Sequence, residues 1–403
     1  MNPEGALGDP IEIPSRLRRR LLVALISPMP ELSLTDHPPS GVARFTQRLL
    51  ESFDRDWEVA AIAQTNGDPT SSAARVRILP TWRPGWACVL DVTRRLRHLH
   101  PQVIHAQHEL RLYGGITPTL ALILSLNWFR WRGAGIVITL HGVPKLADIE
   151  AQNILVSFPG VGRLTRTLMK MYLALILRSC DAVIVHSDVF YQRLAQMFPT
   201  EASKLHVIQL GADSNRAALS SRNRTRDSGS RPHAIAFGFL TSYKLPELIL
   251  DASEQGLLND FSITLSVARN PRAASARLEA RYQALRARAS LLEGIDCRGY
   301  LSDAELDRLL RQADVLILPY TACVAASGVS ALADGAGVPV AYSRPLEELF
   351  GKSRASFALT PESLSDAVRA VVQEGIEVRM PHAPWAEVAT ATFDLWQATW
   401  QMV

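Results

Sequence analysis

Short apolar runs recur along the first half of the chain at 21–26, 57–62, 76–79, 103–105, 136–140, 182–185 and 205–209. Between them lie longer stretches whose apolar positions return every three or four residues. A run that is apolar throughout has no wet face, so these runs read as strands covered on both sides by the amphipathic helices between them. That alternation predicts a parallel sheet. Residues 214–232 break the rhythm with Ser, Arg, Asn and Gly and read as a linker. A second set then begins, with strands at 234–237, 263–267, 295–298, 315–318, 338–341 and a weaker one at 357–359. Its helices are expected at 247–254, 274–292, 303–312 and 327–337.

The pattern predicts an α/β protein built from two Rossmann-like domains. Residues 1–15 read as disordered, 16–213 as the first domain, 214–232 as the linker and 233–383 as the second domain. A final amphipathic helix at 386–401 carries Trp and Phe on one face and needs a large apolar partner. Packing back across the first domain supplies one, so 384–403 is assigned there. No short-period repeat is visible, and the doubling is architectural.

Composition agrees. A chain of 403 residues exceeds the size at which one core usually stops growing. With 47% hydrophobic and 20% charged residues its composition is ordinary for a globular α/β protein and wrong for a disordered chain. The net charge is only +4, although Arg clusters at 16–20, 94–97 and 222–231 could serve anionic ligands or simply be solvated surface. Cys88, Cys180, Cys297 and Cys323 show no CxxC spacing. This argues against a zinc site or a disulfide framework and fits a reducing cytoplasm. Basic residues ahead of 21–26 imitate a signal peptide, but the apolar run is short and Ser27-Pro28 offers no cleavage site, so a first strand is the better reading. No stretch is long enough to span a membrane.

Several segments resemble, in order, the retaining glycosyltransferases of the GT-B fold in family 4, the group of sucrose- and mannosyl-type transferases. Ser40-Gly41-Val42-Ala43-Arg44-Phe45 matches a glycine-rich turn that opens a helix after the first strand. Thr139-Leu140-His141-Gly142 matches the family's TxHG, and Val183-Ile184-Val185-His186-Ser187 a strand-to-helix segment. Val207-Ile208-Gln209-Leu210-Gly211-Ala212-Asp213 matches the exit from the first domain. Phe237-Gly238-Phe239-Leu240 with Lys244 matches the opening of the second domain, and 314–320 with Gly337-Val338-Pro339-Val340 completes the set. The resemblance implies two Rossmann-like domains facing a cleft, with the last helix crossing back to the first. It implies a hexose moved from a UDP- or GDP-sugar to a glycan, glycolipid or natural-product acceptor. It further implies that no metal or other cofactor is required and that no nucleic acid is involved.

Candidate site residues follow from the chemistry of a diphosphate leaving group, whose charge needs cations, helix N-termini and backbone N–H groups. Gly41 lets backbone approach a phosphate; otherwise it is a helix-entry glycine. His141 ends an apolar strand, and the resemblance gives it contact with the donor sugar; otherwise it is a packing histidine. Lys244 offers a point charge to the diphosphate, or is a solvated lysine. Ser327-Gly328 opens a helix whose N-terminus favours an anion, or is a plain cap. Arg269 ends a strand where it could reach the diphosphate or only line the cleft. Tyr300 lies near where the family's nucleobase packs, or belongs to the core. Tyr320 and Val324 are further candidate donor contacts.

Three positions depart from the family. Its phosphate-binding Arg is Phe239 here, and its paired glutamates fall at Val324 and Leu332. A minority branch carries "YK" and "SG" instead, which Tyr243-Lys244 and Ser327-Gly328 resemble. The departures keep open a catalytically impaired subunit that binds a partner enzyme. An epimerase would need an acid–base pair that does not stand out, and a nicotinamide dehydrogenase would need a GxGxxG after 21–26. Finally, Arg163, Arg166 and Lys170 share a helix with Leu, Met, Tyr and Ile, and 127–132 reads NWFRWR. Both could face a membrane, placing the protein free in the cytoplasm or on the membrane's inner face, or could be ordinary solvated surface.

Overall fold

The computed structural model describes residues 22–31, 40–53, 57–70, 75–148, 162–213, 231–269, 276–378 and 382–403. The expected disorder at 1–15, the basic run at 16–20 and all but the end of the 214–232 linker lie outside the described residues.

The first sheet has seven strands: β1 (Leu22–Ile26), β2 (Glu58–Gln64), β3 (Val76–Trp82), β4 (Val103–His108), β5 (Gly135–Leu140), β6 (Ala182–Val185) and β7 (Leu205–Val207). Their order is β3-β2-β1-β4-β5-β6-β7, and every pairing is parallel. β4, β5 and β6 are buried at every position, as strands covered on both faces must be. β3 lies at the edge and alternates buried with exposed residues. Among the described residues, the helices that join them are α1 (Gly41–Glu51), α2 (Trp86–Leu99), α3 (Ile116–Arg130), α4 (Gly162–Arg178) and α5 (Asp188–Met197).

A two-residue strand, β8 (Gly211–Ala212), leads out of this domain. The second sheet runs β11-β10-β9-β12-β13-β14 and is again all parallel. Its strands are β9 (His233–Phe239), β10 (Ser262–Ala268), β11 (Ile295–Arg298), β12 (Val315–Leu318), β13 (Val340–Ser343) and β14 (Ser356–Phe357). Its helices are α6 (Glu247–Glu254), α7 (Ala276–Ala289), α8 (Asp303–Gln312), α9 (Gly328–Gly335), α10 (Glu347–Phe350) and α11 (Pro361–Gln373). Local signals fix their starts. Ser302 and Glu305 form a capping box on α8, and Thr360 caps α11 with Pro361 at its first position. The strand expected at 338–341 begins at Val340, because Gly337 turns at φ +67° and Pro339 has no N–H to give the ladder.

The chain then returns. β15 (Ala383–Pro384) pairs with β8, and α12 (Trp385–Gln401) lies against α1, β4 and β5 of the first domain. Trp396 is fully buried, donates Nε1–H to His105 Nδ1 at 3.1 Å and stacks on Phe53. Gly211 makes room for this crossing, since a Cβ there would sit 2.3 Å from the Trp385 ring. Among the described residues, no helix is long and apolar enough to cross a membrane.

Candidate functional site

In both sheets the loops after the strands carry the residues singled out above, and these two edges meet. Gly142, just past β5, forms an antiparallel bridge with Ala325, just past β12. A Cβ on Gly142 would fall 2.9 Å from the Val324 carbonyl, so glycine permits the approach. Nearby, Arg193 on α5 spans the domains: Nη1 donates to the Val143 carbonyl at 2.7 Å and the Cys323 carbonyl at 2.9 Å, while Nη2 meets Glu348 on α10 at 2.6 Å. Lys145 reaches the other Glu348 oxygen, also at 2.6 Å. On the other side of α1's start, Arg44 donates to Tyr300 Oη and pairs with Asp303.

The wall on the first domain is a chain of imidazoles. His186 Nδ1 lies 2.9 Å from the Ile208 carbonyl, which only accepts, so the proton sits on Nδ1. Burial pushes His186 down to about 4, so the ring is neutral near pH 7 and Nε2 keeps a lone pair. His141 Nδ1, 3.2 Å away, must donate to it. Burial and then the neighbouring histidines hold His141 well below the ordinary histidine range, so its Nε2 is an acceptor too. Gln107 lies 2.6 Å from that Nε2 and is fully buried. With Oε1 turned to His141, its NH2 group has no partner; a half-turn of the amide lets NH2 donate and leaves one proton on each ring. Phe45 of α1 packs edge-on to His141 at 5.0 Å, tying the first turn of α1 to this wall.

The opposite wall centres on Lys244. Its backbone bridges to Tyr320, and its ammonium sits 5.2 Å from that ring's centroid. It makes no ion pair with any described residue, and burial lowers its proton affinity, offset in part by Tyr243. Gly238 has φ +124°, and a Cβ there would meet Lys244 Nζ at 2.9 Å and Val329 Cγ2 at 3.3 Å. Since Val329 is in the first turn of α9, the ammonium lies beside that helix's N-terminus. Ser327 caps α9 by accepting from Ser330 N at 3.2 Å, and Tyr320 hydrogen-bonds Ser327. Gly328 and Gly41 both face open space: no heavy atom lies within 4 Å of where a Cβ would stand. The hollow beside Lys244, lined by Phe237, Phe239, Leu265 and Tyr320, holds about 20 Å³, room for little more than one water.

His141 thus lies one residue from the Gly142–Ala325 bridge with Val324 across it, Lys244, Tyr320, Ser327 and Gly328 group together on the second domain, and Gly41 opens α1. Two candidates have partners of their own. Arg269 pairs with Glu279 at 2.6 Å and lies over the Tyr282 ring of α7. Tyr300 is exposed instead of part of the core, and its Oη accepts from Arg44 of the first domain. Arg163, Arg166 and Lys170 lie on the exposed side of α4, outside the cleft. Gln107, Arg193 and Glu348 had no assigned role, and His186 was read only as part of a motif. Gln107 had a signal: a polar side chain inside the buried run of β4. Among the described residues, no group of three or more His, Cys, Asp or Glu could hold a metal.

Two all-parallel sheets with the carboxyl ends of their strands turned toward each other are the arrangement of the GT-B fold. Solved structures similar to the whole chain carry the same fold. HepE of Anabaena, in complex with UDP and glucose, is 15% identical over 94% of this chain and 97% of that one, with a TM-score of 0.58. Sucrose-phosphate synthase of Thermosynechococcus elongatus is 16% identical over 95% and 97%, with a TM-score of 0.59. The α,α-trehalose-phosphate synthase (UDP-forming) of Burkholderia xenovorans, in complex with glucose-6-phosphate, is 12% identical over 94% and 98%, with a TM-score of 0.61. No curated protein matches the chain. Residues 39–216 match the family described as Glycosyltransferase Family 4. The chain thus has the GT-B fold, and the match to Glycosyltransferase Family 4 is confined to its first domain.

Proposed function

We propose that this chain is a retaining hexosyltransferase that uses a UDP- or GDP-sugar, needs no metal, and glycosylates a hydroxyl on a glycan, glycolipid or natural product. The observation carrying this reading is the Lys244 ammonium, which has no ion pair among the described residues and lies beside positive-φ Gly238 and the glycine-opened N-terminus of α9. A cation, a helix dipole and free N–H groups in one place are what a departing diphosphate needs. In this reading the bond from the sugar's anomeric carbon to the β-phosphate oxygen breaks. The acceptor oxygen bonds that carbon on the same face, and the acceptor proton leaves with the diphosphate. His141 stays neutral at pH 7 and acts as a positioned contact to the sugar. In this reading, opening the domains at the Arg193–Glu348 contact admits the donor.

Calorimetric titration with UDP, GDP, ADP and their sugars tests this. One nucleotide should bind, and at one hundred times its dissociation constant should add about 2.7 kcal/mol of stability. Lys244→Ala should weaken that binding roughly tenfold to a hundredfold, the range for losing a hydrogen bond to a charged group. Slow hydrolysis of the matching sugar nucleotide should vanish in Lys244→Ala and His141→Ala. If no nucleotide binds, the chain is instead a non-catalytic subunit, as Phe239, Val324 and Leu332 would allow.

A further inference from the structure

Helix α3 reads ITPTLALILSLNWFR and carries no charge before Arg130, so it is apolar round its whole circumference. Such a helix is normally buried on all sides. Here α2 and α4 flank it and the sheet lies beneath, yet its outer side is uncovered: Leu124 and Trp128 remain exposed, and Trp131 just beyond is 91% exposed. Next to it, Leu164, Leu168, Met171 and Leu175 recur every three or four residues along the outer side of α4 and are all exposed. Two adjoining apolar stripes make a contiguous patch of the kind that marks a docking surface.

The charge around this patch names the occupant. The whole chain nearly balances, with 43 Lys and Arg against 39 Asp and Glu. Helices α2, α3 and α4 together carry eight Lys and Arg against a single acid, Asp91, and Arg83 already neutralises that one. The Arg97 and Arg132 guanidiniums both lie over Trp128, at 4.8 and 4.5 Å from its ring centroid. Apolar side chains rimmed by cations and Trp fit the boundary between lipid tails and anionic headgroups. A second copy of the chain would bring two like-charged rims together, and no helix here could cross the bilayer.

We propose that the outer face of α3 and α4 rests on an anionic lipid bilayer, with Leu164, Leu168 and Met171 at the acyl boundary and Arg132, Arg166 and Lys170 among the phosphates. None of these residues lies in the cleft, so the proposal stands independently of the transferase reading. Flotation of the full chain with vesicles tests it, comparing phosphatidylcholine alone with phosphatidylcholine containing phosphatidylglycerol. The chain should float only with the anionic vesicles, and added salt should release it. Arg166→Gln with Lys170→Gln should lower partitioning roughly 30-fold, at about one basic contact's worth each. Leu168→Asp with Met171→Asp should abolish it while leaving the thermal transition unmoved, since both side chains are already in water. A chain that stays in the soluble fraction, or variants that float like the parent, would overturn the proposal. So would a lipid-free, concentration-dependent dimer that Leu168→Asp dissolves, because the partner would then be a second copy.

Discussion

Lowering the pH from 7 to 5.5 should cost this protein about 4 kcal/mol of stability through three buried imidazoles. His105, His108 and His186 are almost wholly out of water. Burial pushes His105 down to about 3 and His108 and His186 to about 4, with His186 adding to the depression of His105. Their unfolded value is about 6.5, so the unfolded chain binds more protons throughout the interval between. The stability they contribute is complete above about pH 6.5 and is lost as pH falls toward 4 and 3. At pH 5.5 each unfolded histidine is about ten-to-one protonated while its folded counterpart is not, roughly 1.2 kcal/mol more than at pH 7. His141 shifts in the same direction but reaches the cleft surface, so it is left out of the sum. Since domains are stable by only about 5–15 kcal/mol, this loss should be plain in urea unfolding at the two pH values. His108→Gln should reduce it by about a third. Stability equal within 1 kcal/mol at pH 7 and 5.5 would refute the assignment of these rings as neutral and buried.

Gly211→Ala would drive a methyl into the Trp385 ring and should destabilise by about 1–3 kcal/mol as overpacking; guanidinium unfolding would measure it, and an unchanged midpoint would mean α12 can shift freely. Glu348→Gln should loosen the contact that Lys145 and Arg193 make across the cleft, favouring open forms by about 1 kcal/mol. Small-angle scattering should show a larger radius without nucleotide, with the radius restored by the nucleotide that binds best.

The inner strands of both sheets were legible because they are short runs without a polar face, and β6 and β12 fall on the residues the pattern marks; β11 falls there too, although Asp296 and Arg298 give this edge strand a wet face. Edges were less so: β3 runs on to Trp82 because an edge strand tolerates polar residues on its open side. The cleft was half legible. Glycines and the lone Lys244 stand out beside strand ends, where their chemistry is unusual. Arg269 and Tyr300 stood at equally suggestive places, but what a guanidinium or phenol does depends on partners such as Glu279 and Arg44, ten or 256 positions away. The Arg193–Glu348 contact was invisible for the same reason. Both residues sit on helices, where a charge reads as solvated surface, and only the closed arrangement of domains brings them within 2.6 Å.

The return of α12 has a consequence for synthesis. β4 and β5 are laid down early, but Trp385–Gln401, which covers them, is translated only after the entire second domain. At ribosomal speeds that is a delay on the order of ten seconds or more. Through it the nascent first domain carries a bare apolar strip, with Phe53, Trp57 and His105 awaiting Trp396. Chains stalled within that window should be the ones chaperones hold, and truncation before residue 385 should give insoluble protein.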